Sequence, residues 1–227
     1  MGGACAAGWL TAMLIIFDLD GTLIDSARDL EIATNETRAH FGMPPLDSPV
    51  IHSYVGNGAA MLVRRALGPD ASEERVSEAV SYFVKYYRAH SLAHTRLYPG
   101  VEDLVCGLAA NGHTLAVLTN KPVKISTDIL AGLGVGPHFV RVYGGDSFVE
   151  KKPDPIGIHT LVNETASAPR ETWMVGDSGV DVQTARNAEV RACGVAWGFQ
   201  PESFAKYPPD VVIREPLEFL TLCSADN

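Results

Sequence analysis

The chain of 227 residues is 46% hydrophobic, 20% charged and 8% aromatic, a balance typical of a packed globular protein and not of a disordered or fibrous one. Its formal net charge is -9, and it contains no dense run of lysine and arginine. We therefore expect no nucleic-acid partner, because a phosphate backbone is bound through clustered positive charge.

The four cysteines lie far apart and form no C-x-x-C pair, so neither a zinc site nor a disulfide framework is predicted. The N-terminal residues lack the positively charged start of a signal peptide, and the apolar run at residues 13–17 is too short to span a bilayer. We expect a cytoplasmic protein with no membrane partner, present as a monomer or a weak homodimer. Residues 1–12 are predicted to be a disordered extension.

Six apolar segments are predicted to be β-strands, and three of them lead into polar residues. The three segments and the polar residues that follow are residues 13–17 with Asp18, residues 114–118 with Thr119, and residues 172–175 with Asp177. This pattern is typical of buried parallel strands that deliver a polar group at their C-terminal ends. The other predicted strands are residues 139–142, 190–195 and 210–213.

Helical patterns lie between the predicted strands, at residues 101–110, 122–133, 155–162 and 180–188. Strands and helices therefore alternate, which predicts an α/β fold with a doubly wound, Rossmann-like parallel sheet. In such sheets ligands bind at the carboxyl ends of the strands. The polar residues at the strand ends are expected to face one crevice.

Residues 26–93 break this alternation. Their apolar residues recur at spacings near 3.6 in three groups, which predict three helices, and the second group runs from Val55 to Leu67. The simplest interpretation is a helical cap domain at residues 26–93. It would be inserted into an α/β core domain formed by residues 13–25 and 94–227.

The loop after the first predicted strand, DLDGTL at residues 18–23, contains two carboxylates two positions apart. One of Asp18 and Asp20 can attack phosphorus while the other transfers a proton. Neighbouring carboxylates also attract a hard cation. A bare D-x-D pair is as often a polar turn, so its meaning depends on the residues that accompany it.

Three further sets of polar residues lie where the predicted sheet brings strand ends together. Thr119 offers a hydroxyl group and a backbone N–H, and Lys152 offers a positive charge. Asp177 and Asp181 offer the oxygen ligands that Mg²⁺ prefers. Each set alone is weak, because such residues are usually caps or solvated charges. A phosphoryl group in transfer needs all of them around its nucleophile, so the four sets together predict phosphoryl chemistry.

In this order, the four sets resemble the motifs of the haloacid dehalogenase superfamily. The matching positions are residues 18–23, Thr119 with Asn120, Lys152, and residues 176–181. The resemblance covers nearly everything from residue 13 onward, including the helical insertion after the first motif. Lys152 is matched in preference to Lys151 because the lysine of the family immediately precedes a proline.

The resemblance implies a role for each of these residues. Asp18 would be the nucleophile and Asp20 the general acid and base, while Thr119 and Lys152 would hold the phosphoryl group. The metal ligands that the resemblance implies for Mg²⁺ are Asp18, the backbone carbonyl of Asp20, and Asp177, with Asp181 as a further ligand or a support.

Shorter strings in the chain are similar to those of the phosphoglycolate phosphatases within the superfamily. They imply a small phosphorylated metabolite, 2-phosphoglycolate, as the substrate. The substrate-binding residues that these strings imply are Gly21, Thr22, Gly56, Asn57, Gly58, Asn120 and Lys121. The Gly56-Asn57-Gly58 string can alternatively be a plain turn between cap helices. Arg64 or Arg65 could also reach a substrate carboxylate, although a solvated helix charge is the commoner role.

Three other functions remain open. A sugar-phosphate mutase would pass the phosphoryl group to another hydroxyl, and a phosphatase or pyrophosphatase of the same superfamily would take another substrate. A receiver-like signalling module also accepts phosphate on an aspartate at a strand end, but it lacks a long helical insertion. Dehalogenation is disfavoured, because that branch replaces the second aspartate of the D-x-D pair, which is present here as Asp20.

Overall fold

The computed structural model of the protein describes residues 12–225. Residues 1–12 were predicted to be disordered, and all of them except Ala12 lie outside the described residues. Within these residues the strands are β1 (Leu14–Phe17), β2 (Ile24–Asp25), β3 (Arg96–Leu97), β4 (Thr114–Leu118), β5 (Phe139–Tyr143), β6 (Thr172–Gly176), β7 (Arg191–Val195) and β8 (Val211–Ile213). The helices are α1 (Ala27–His40), α2 (Ser48–His52), α3 (Ala59–Leu67), α4 (Glu73–His90), α5 (Val101–Ala110), α6 (Val123–Gly132), α7 (Ile156–Thr165), α8 (Gly179–Asn187) and α9 (Pro216–Ala225).

A parallel sheet with the strand order β5-β4-β1-β6-β7-β8 forms the centre of the molecule. β1 pairs with β4 on one side and with β6 on the other, so that Phe17 lies opposite both Val117 and Val175. β4 and β6 each extend one residue beyond this level, so the three strands end at nearly the same height. Whatever follows them must emerge at the same edge of the sheet.

Helices cover both faces of this sheet. Successive side chains of a strand point to opposite sides, so the apolar side chains of a buried strand need packing partners on both. Ile15 and Phe17 of β1 belong to one buried cluster, which includes residues of α5, α6 and α9. Leu14 and Ile16 belong to a second cluster with residues of α7 and α8. The predicted doubly wound α/β sheet is confirmed.

Helices α1 to α4 pack on one another and over one face of the core. α4 contacts both α1 and α3, and α2 contacts α1. Their apolar residues Leu30, Leu62 and Phe83 belong to the same buried cluster as Phe17 of the sheet. The division of the chain into core and cap domains stays a prediction, and the name cap segment is used below for residues 26–93.

Several details differ from the sequence prediction. Three cap helices were predicted, but the structure has four in the described residues 26–93, and the short helix α2 was missed. The second cap helix was expected to run from Val55, but α3 begins at Ala59, because Gly56 and Gly58 adopt φ angles of 103° and 82° that end regular helix geometry. The short antiparallel pair β2–β3, which joins the two ends of the cap segment, was not predicted, since two-residue strands leave no periodic pattern.

Helix α9 was also missed, although Phe219 and Cys223 lie four residues apart on its buried face. No helix in the described part of the chain is both long and apolar enough to cross a membrane.

Candidate active site

Three polar residues meet at the carboxyl edge of the sheet. Asp18 follows β1 directly, Thr119 follows β4, and Asp177 follows β6. All three are buried, with 3 to 6% of their surface exposed. Because β1 lies between the other two strands, Asp18 occupies the middle of this group.

Lys152 brings a positive charge to this edge from the loop before α7. Its Nζ lies 3.0 Å from Oδ1 of Asp18 and 2.6 Å from Oδ1 of Asp181. Burial alone would lower the pKa of Lys152, but the two carboxylates outweigh burial and raise it, so the ammonium group stays charged. Lys151 is exposed. Of the two adjacent lysines, Lys152 is the one that contacts the carboxylates at this edge.

Asp18, Asp177 and Asp181 form a cluster of buried carboxylates, in which one oxygen of each lies within 4.8 Å of the others. Burial raises the pKa of Asp18 to about 6, although Lys152 opposes this effect. Burial, together with the charges of Asp181 and Asp18, also raises the pKa of Asp177.

The donor set of this cluster fits a hard divalent cation. Oδ1 of Asp18 is buried, and among the described residues it accepts no hydrogen bond of normal geometry, although Lys152 lies close enough for an ion pair. Three carboxylates beside one ammonium group leave an excess of negative charge in a buried place. Mg²⁺ binds oxygen ligands and would supply the positive charge that this site lacks.

Asp177 packs closely against two glycines and accepts a hydrogen bond from a backbone N–H. The N–H of Phe199 donates to Oδ2 of Asp177 at 2.6 Å. A Cβ atom at Gly21 would lie 2.2 Å from Oδ2 of Asp177, and one at Gly198 would lie 2.2 Å from its Cβ. Gly21 also has a φ of 78°, so only glycine fits this position without strain. The loop with Gly198 and Phe199 was missed by sequence reasoning, because it lies far away in the chain after β7.

Asp181 has protein partners on both carboxylate oxygens. Oδ2 accepts hydrogen bonds from the N–H of Ser178 at 3.1 Å and from its hydroxyl at 2.7 Å, and Oδ1 faces Lys152. Ser178 and Asp181 form a capping box at the start of α8. The spacing S-x-x-D is a readable signal for such a box, so Ser178 could have been found from the sequence. Asp181 is therefore in direct contact with both Lys152 and the start of α8.

Asp20 lies two residues beyond Asp18 and faces the cap segment. Its Oδ1 accepts hydrogen bonds from the hydroxyl of Ser26 at 2.5 Å and from Nζ of Lys121 at 2.7 Å. Nζ of Lys121 also lies 3.0 Å from Oδ2 and donates to the hydroxyl oxygen of Tyr87 at 2.7 Å. Sequence reasoning missed both Ser26 and Tyr87 as site residues. Tyr87 belongs to no motif, and Ser26 ends a string of the family resemblance but was given no role.

The hydrogen bonds of Thr119 and Asn120 differ in one detail from the sequence prediction. The backbone N–H of Thr119 donates to the carbonyl of Tyr143 at 2.9 Å, so the expectation that it is offered to a phosphoryl group was wrong. The amide of Asn120 donates to the carbonyls of Gly56 and Lys152 and accepts from the N–H of Lys152 at 3.1 Å. Asn120 therefore ties the Lys152 loop to the cap segment, and its side chain is occupied by backbone partners.

A cavity of about 40 Å³ lies between the strand ends and the cap segment. It is lined by most of the residues that the sequence analysis assigned to substrate binding or to the first two motifs. Those that line it are Asp18, Asp20, Gly56, Gly58, Thr119, Asn120 and Lys121. Gly21, Thr22 and Asn57 do not line it. The hydroxyl of Thr22 is buried and has no hydrogen-bond partner among the described residues.

The cap segment closes this cavity through direct contacts with the core. Nε2 of Gln200 donates to the carbonyl of Val55 at 2.7 Å. A Cβ atom at Gly58 would lie 2.9 Å from the carbonyl oxygen of Asn120, so the turn can approach the core only with glycine there. Arg64, in contrast, forms an ion pair with Glu73 at 2.5 Å on the surface and does not line the cavity.

Comparison with known proteins agrees with this geometry. The family model of the haloacid dehalogenase-like hydrolases matches residues 15–195, which include every motif residue described above. The chain belongs to this family. The resemblance inferred from the sequence is thereby confirmed for the family.

Individual relatives are similar over nearly the whole chain. The chain is 41% identical to the phosphoglycolate phosphatase of Vibrio vulnificus (strain CMCP6) over 208 residues, which cover 88% of this chain and 90% of that protein. It is 40% identical to the phosphoglycolate phosphatase of Chromobacterium violaceum over 197 residues, which cover 83% of this chain and 87% of the relative. Members of the hydrolase family that carry this name are therefore close in both length and sequence.

A solved structure shares the fold. The crystal structure of a predicted phosphoglycolate phosphatase from Haemophilus somnus 129pt matches this chain with a TM-score of 0.87 at 30% identity. The match covers 93% of this chain and 97% of that one. The sheet and the helical insertion of this hydrolase are thus found together in an experimental structure.

Proposed function

We propose that the protein is a Mg²⁺-dependent phosphatase that hydrolyses 2-phosphoglycolate to glycolate and phosphate through a phosphoaspartate on Asp18. One observation carries the proposal: Oδ1 of Asp18 is buried without a normal hydrogen bond, and it lies 3.0 Å from the ammonium group of Lys152. A nucleophile beside a fixed positive charge is what attack on a phosphate ester requires. The names of the relatives support the choice of substrate.

The two carboxylates of the first motif would divide the chemistry. In the first half-reaction an oxygen of Asp18 bonds to phosphorus, the bond from phosphorus to the ester oxygen breaks, and Asp20 gives that oxygen a proton. In the second, Asp20 takes a proton from the water that attacks phosphorus, and the bond to Asp18 breaks. Phosphate is released, and both carboxylates return to their starting states.

Two other side chains would stabilise the phosphoryl oxygens during transfer. Lys152 supplies a buried positive charge, and the Thr119 hydroxyl supplies a hydrogen-bond donor at the wall of the cavity. Mg²⁺ held by Asp18, Asp177 and the backbone carbonyl of Asp20 would supply the further positive charge that this acidic site lacks. Asp181 would serve by fixing Lys152, with which it is in contact.

The size and charge of the cavity support a small substrate. Its volume of about 40 Å³ gives room for about three water molecules, since each needs roughly 10 to 15 Å³ on this scale. Lys121 contributes a cationic donor to the wall beside its partner Asp20, and this donor suits an acidic leaving group.

A screen of phosphate release over small phosphate esters with Mg²⁺, including 2-phosphoglycolate and pyrophosphate, tests the proposal. We expect 2-phosphoglycolate to be turned over with the highest kcat/KM. High activity on another ester and none on 2-phosphoglycolate would contradict the substrate. Phosphate release that requires a sugar acceptor would favour a mutase, and a phosphoaspartate that persists for minutes without turnover would favour a receiver-like module.

A further inference from the structure

Lys121 and Tyr87 form a contact between the core and the cap segment inside the cavity. Nζ of Lys121 donates to the hydroxyl oxygen of Tyr87 at 2.7 Å and lies 4.5 Å from the centroid of its ring. The two residues are 6% and 2% exposed. Tyr87 lies near the end of α4 in the cap segment, whereas Lys121 lies just before α6, so the contact joins the cap segment to the core.

The hydroxyl of Tyr87 has a proton to donate. An ammonium group has donors and no acceptor, so in the contact with Lys121 the tyrosine oxygen must be the acceptor. The O–H bond of Tyr87 therefore remains available to another partner. Burial raises the pKa of Tyr87 to about 12, so the hydroxyl keeps its proton at neutral pH.

On the core side, the carboxylate of Asp20 lies 2.7 Å from Nζ of Lys121, whereas the cap side of the pair is apolar. Lys121 is the single cationic side chain among the described residues that line the cavity. The cap side of the wall is formed mainly by hydrocarbon and aromatic surface, contributed by Leu30, Val55, Leu62, Phe83 and Val84. A hydrogen bond to a charged partner gains strength in such surroundings, because water does not compete for it.

We propose that Tyr87 is a specificity residue that, together with Lys121, binds an anionic group on the leaving side of the substrate, such as the carboxylate of a phosphorylated hydroxy acid. The inference rests on the proposed phosphatase function and deepens it. Lys121 supplies the charge, and Tyr87 supplies a directed O–H donor from the cap segment. Binding of a phosphate ester that carries a carboxylate is thereby favoured over binding of a neutral phosphate ester of the same size.

The substitution Tyr87→Phe tests this role, because it removes the hydroxyl and keeps the ring that stacks on Phe83 at 5.6 Å. Tyr86→Phe is the matched control: it makes the same change one residue earlier on α4, at a position that does not line the cavity. Each variant is assayed on 2-phosphoglycolate and on the neutral ester 2-hydroxyethyl phosphate. Melting temperatures of both variants report whether the fold is intact.

We expect Tyr87→Phe to raise KM for 2-phosphoglycolate about tenfold or more, which is the usual effect of a lost hydrogen bond to a charged group. KM for 2-hydroxyethyl phosphate should change less than about twofold, since no charged partner is lost there. Tyr86→Phe should leave both KM values unchanged. Equal effects of Tyr87→Phe on the two esters, or no effect on either, would overturn the assignment.

A binding measurement separates this inference from the proposed function. Glycolate, which has the carboxylate and no phosphate, is titrated into the wild type and both variants in the presence of Mg²⁺. Weaker binding to Tyr87→Phe than to Tyr86→Phe supports the role of Tyr87, even if the wild type hydrolyses neither ester and the proposed function fails. Equal binding to both variants, or no binding to the wild type, overturns the inference.

Discussion

The ammonium group of Lys152 lies 3.0 Å from Oδ1 of Asp18, and the two side chains are only 2% and 9% exposed. The contact joins the end of β1 to a loop more than a hundred residues later in the chain. It also places the Lys152 charge between Asp18 and Asp181, whose Oδ1 lies 2.6 Å away. Lys152 is thus in direct contact with two buried carboxylates at the carboxyl edge of the sheet.

Replacement of this lysine should reduce activity and stability together. We expect Lys152→Met to lower kcat/KM by about a hundredfold or more, because a donor to the transition-state charge is lost. In chelator, its free energy of unfolding should fall by about 3 to 5 kcal/mol, which is typical when one partner of a buried ion pair is removed. Phosphate release and urea unfolding measure the two effects. Lys151→Met is the control, since Lys151 is exposed, and an equal loss there would contradict the role of Lys152.

The two carboxylates of the first motif should fail in different ways. Asp18→Asn should leave a thousandth of the activity or less, on the order expected when a nucleophile is removed, and should form no phosphoenzyme. Asp20→Asn should slow both half-reactions but still accumulate phosphoaspartate from an activated aryl phosphate, whose leaving group needs little protonation. Rapid-quench labelling with peptide mapping distinguishes them. Label on Asp20, or on any serine or histidine, would overturn the assignment.

Mg²⁺ should stabilise the folded protein as well as activate it. A bound cation offsets the repulsion that, with burial, raises the pKa of Asp177, so the melting temperature of the wild type should rise with Mg²⁺. Asp177→Asn should show a much smaller rise, and excess chelator should abolish turnover of the wild type. Thermal melts with and without Mg²⁺ measure this. Asp210→Asn, a change remote from the cluster, should keep the full response, and a wild type insensitive to chelator would refute the metal requirement.

We expect Asp29 to make a pH-dependent contribution to the free energy of unfolding. Burial would raise its pKa, but hydrogen bonds from His94 and Thr95, including both backbone N–H groups, outweigh burial and lower the pKa below 3.8. A carboxylate with a lowered pKa stabilises the fold above pH 3.8, and this contribution is lost as the pH falls through the folded-state value. At pH 7, Asp29→Asn should therefore cost about 2 kcal/mol of unfolding free energy.

The difference between the wild type and Asp29→Asn should shrink as the pH falls below 3.8. Urea unfolding at several pH values measures it. Asp25→Asn serves as the control, because Asp25 is exposed and its side chain accepts one backbone hydrogen bond, from Ala27 at 3.1 Å. A difference that stays constant down to acid pH would show that Asp29 is not bound as a carboxylate.

The sequence by itself determined the sheet and the family motifs. Buried parallel strands are continuous apolar runs, so the segment before Asp18 could be recognised from composition alone, and its polar end marked the crevice. Other elements were missed or misplaced: β2 and β3 have two residues each, and α3 begins at Ala59 because two glycines with positive φ precede it. Local patterns cannot resolve such boundaries, since they depend on a few backbone angles.

Only the tertiary structure decided which side chains meet across the cavity. The contacts of Asp20 with Ser26 and of Lys121 with Tyr87 join segments that no spacing rule relates, and the N–H of Thr119 was taken by the neighbouring strand β5. The physical reason is that a sequence motif contains only the residues that follow one strand. The partners of those residues come from other strands and from the cap segment, and packing alone determines how closely they approach.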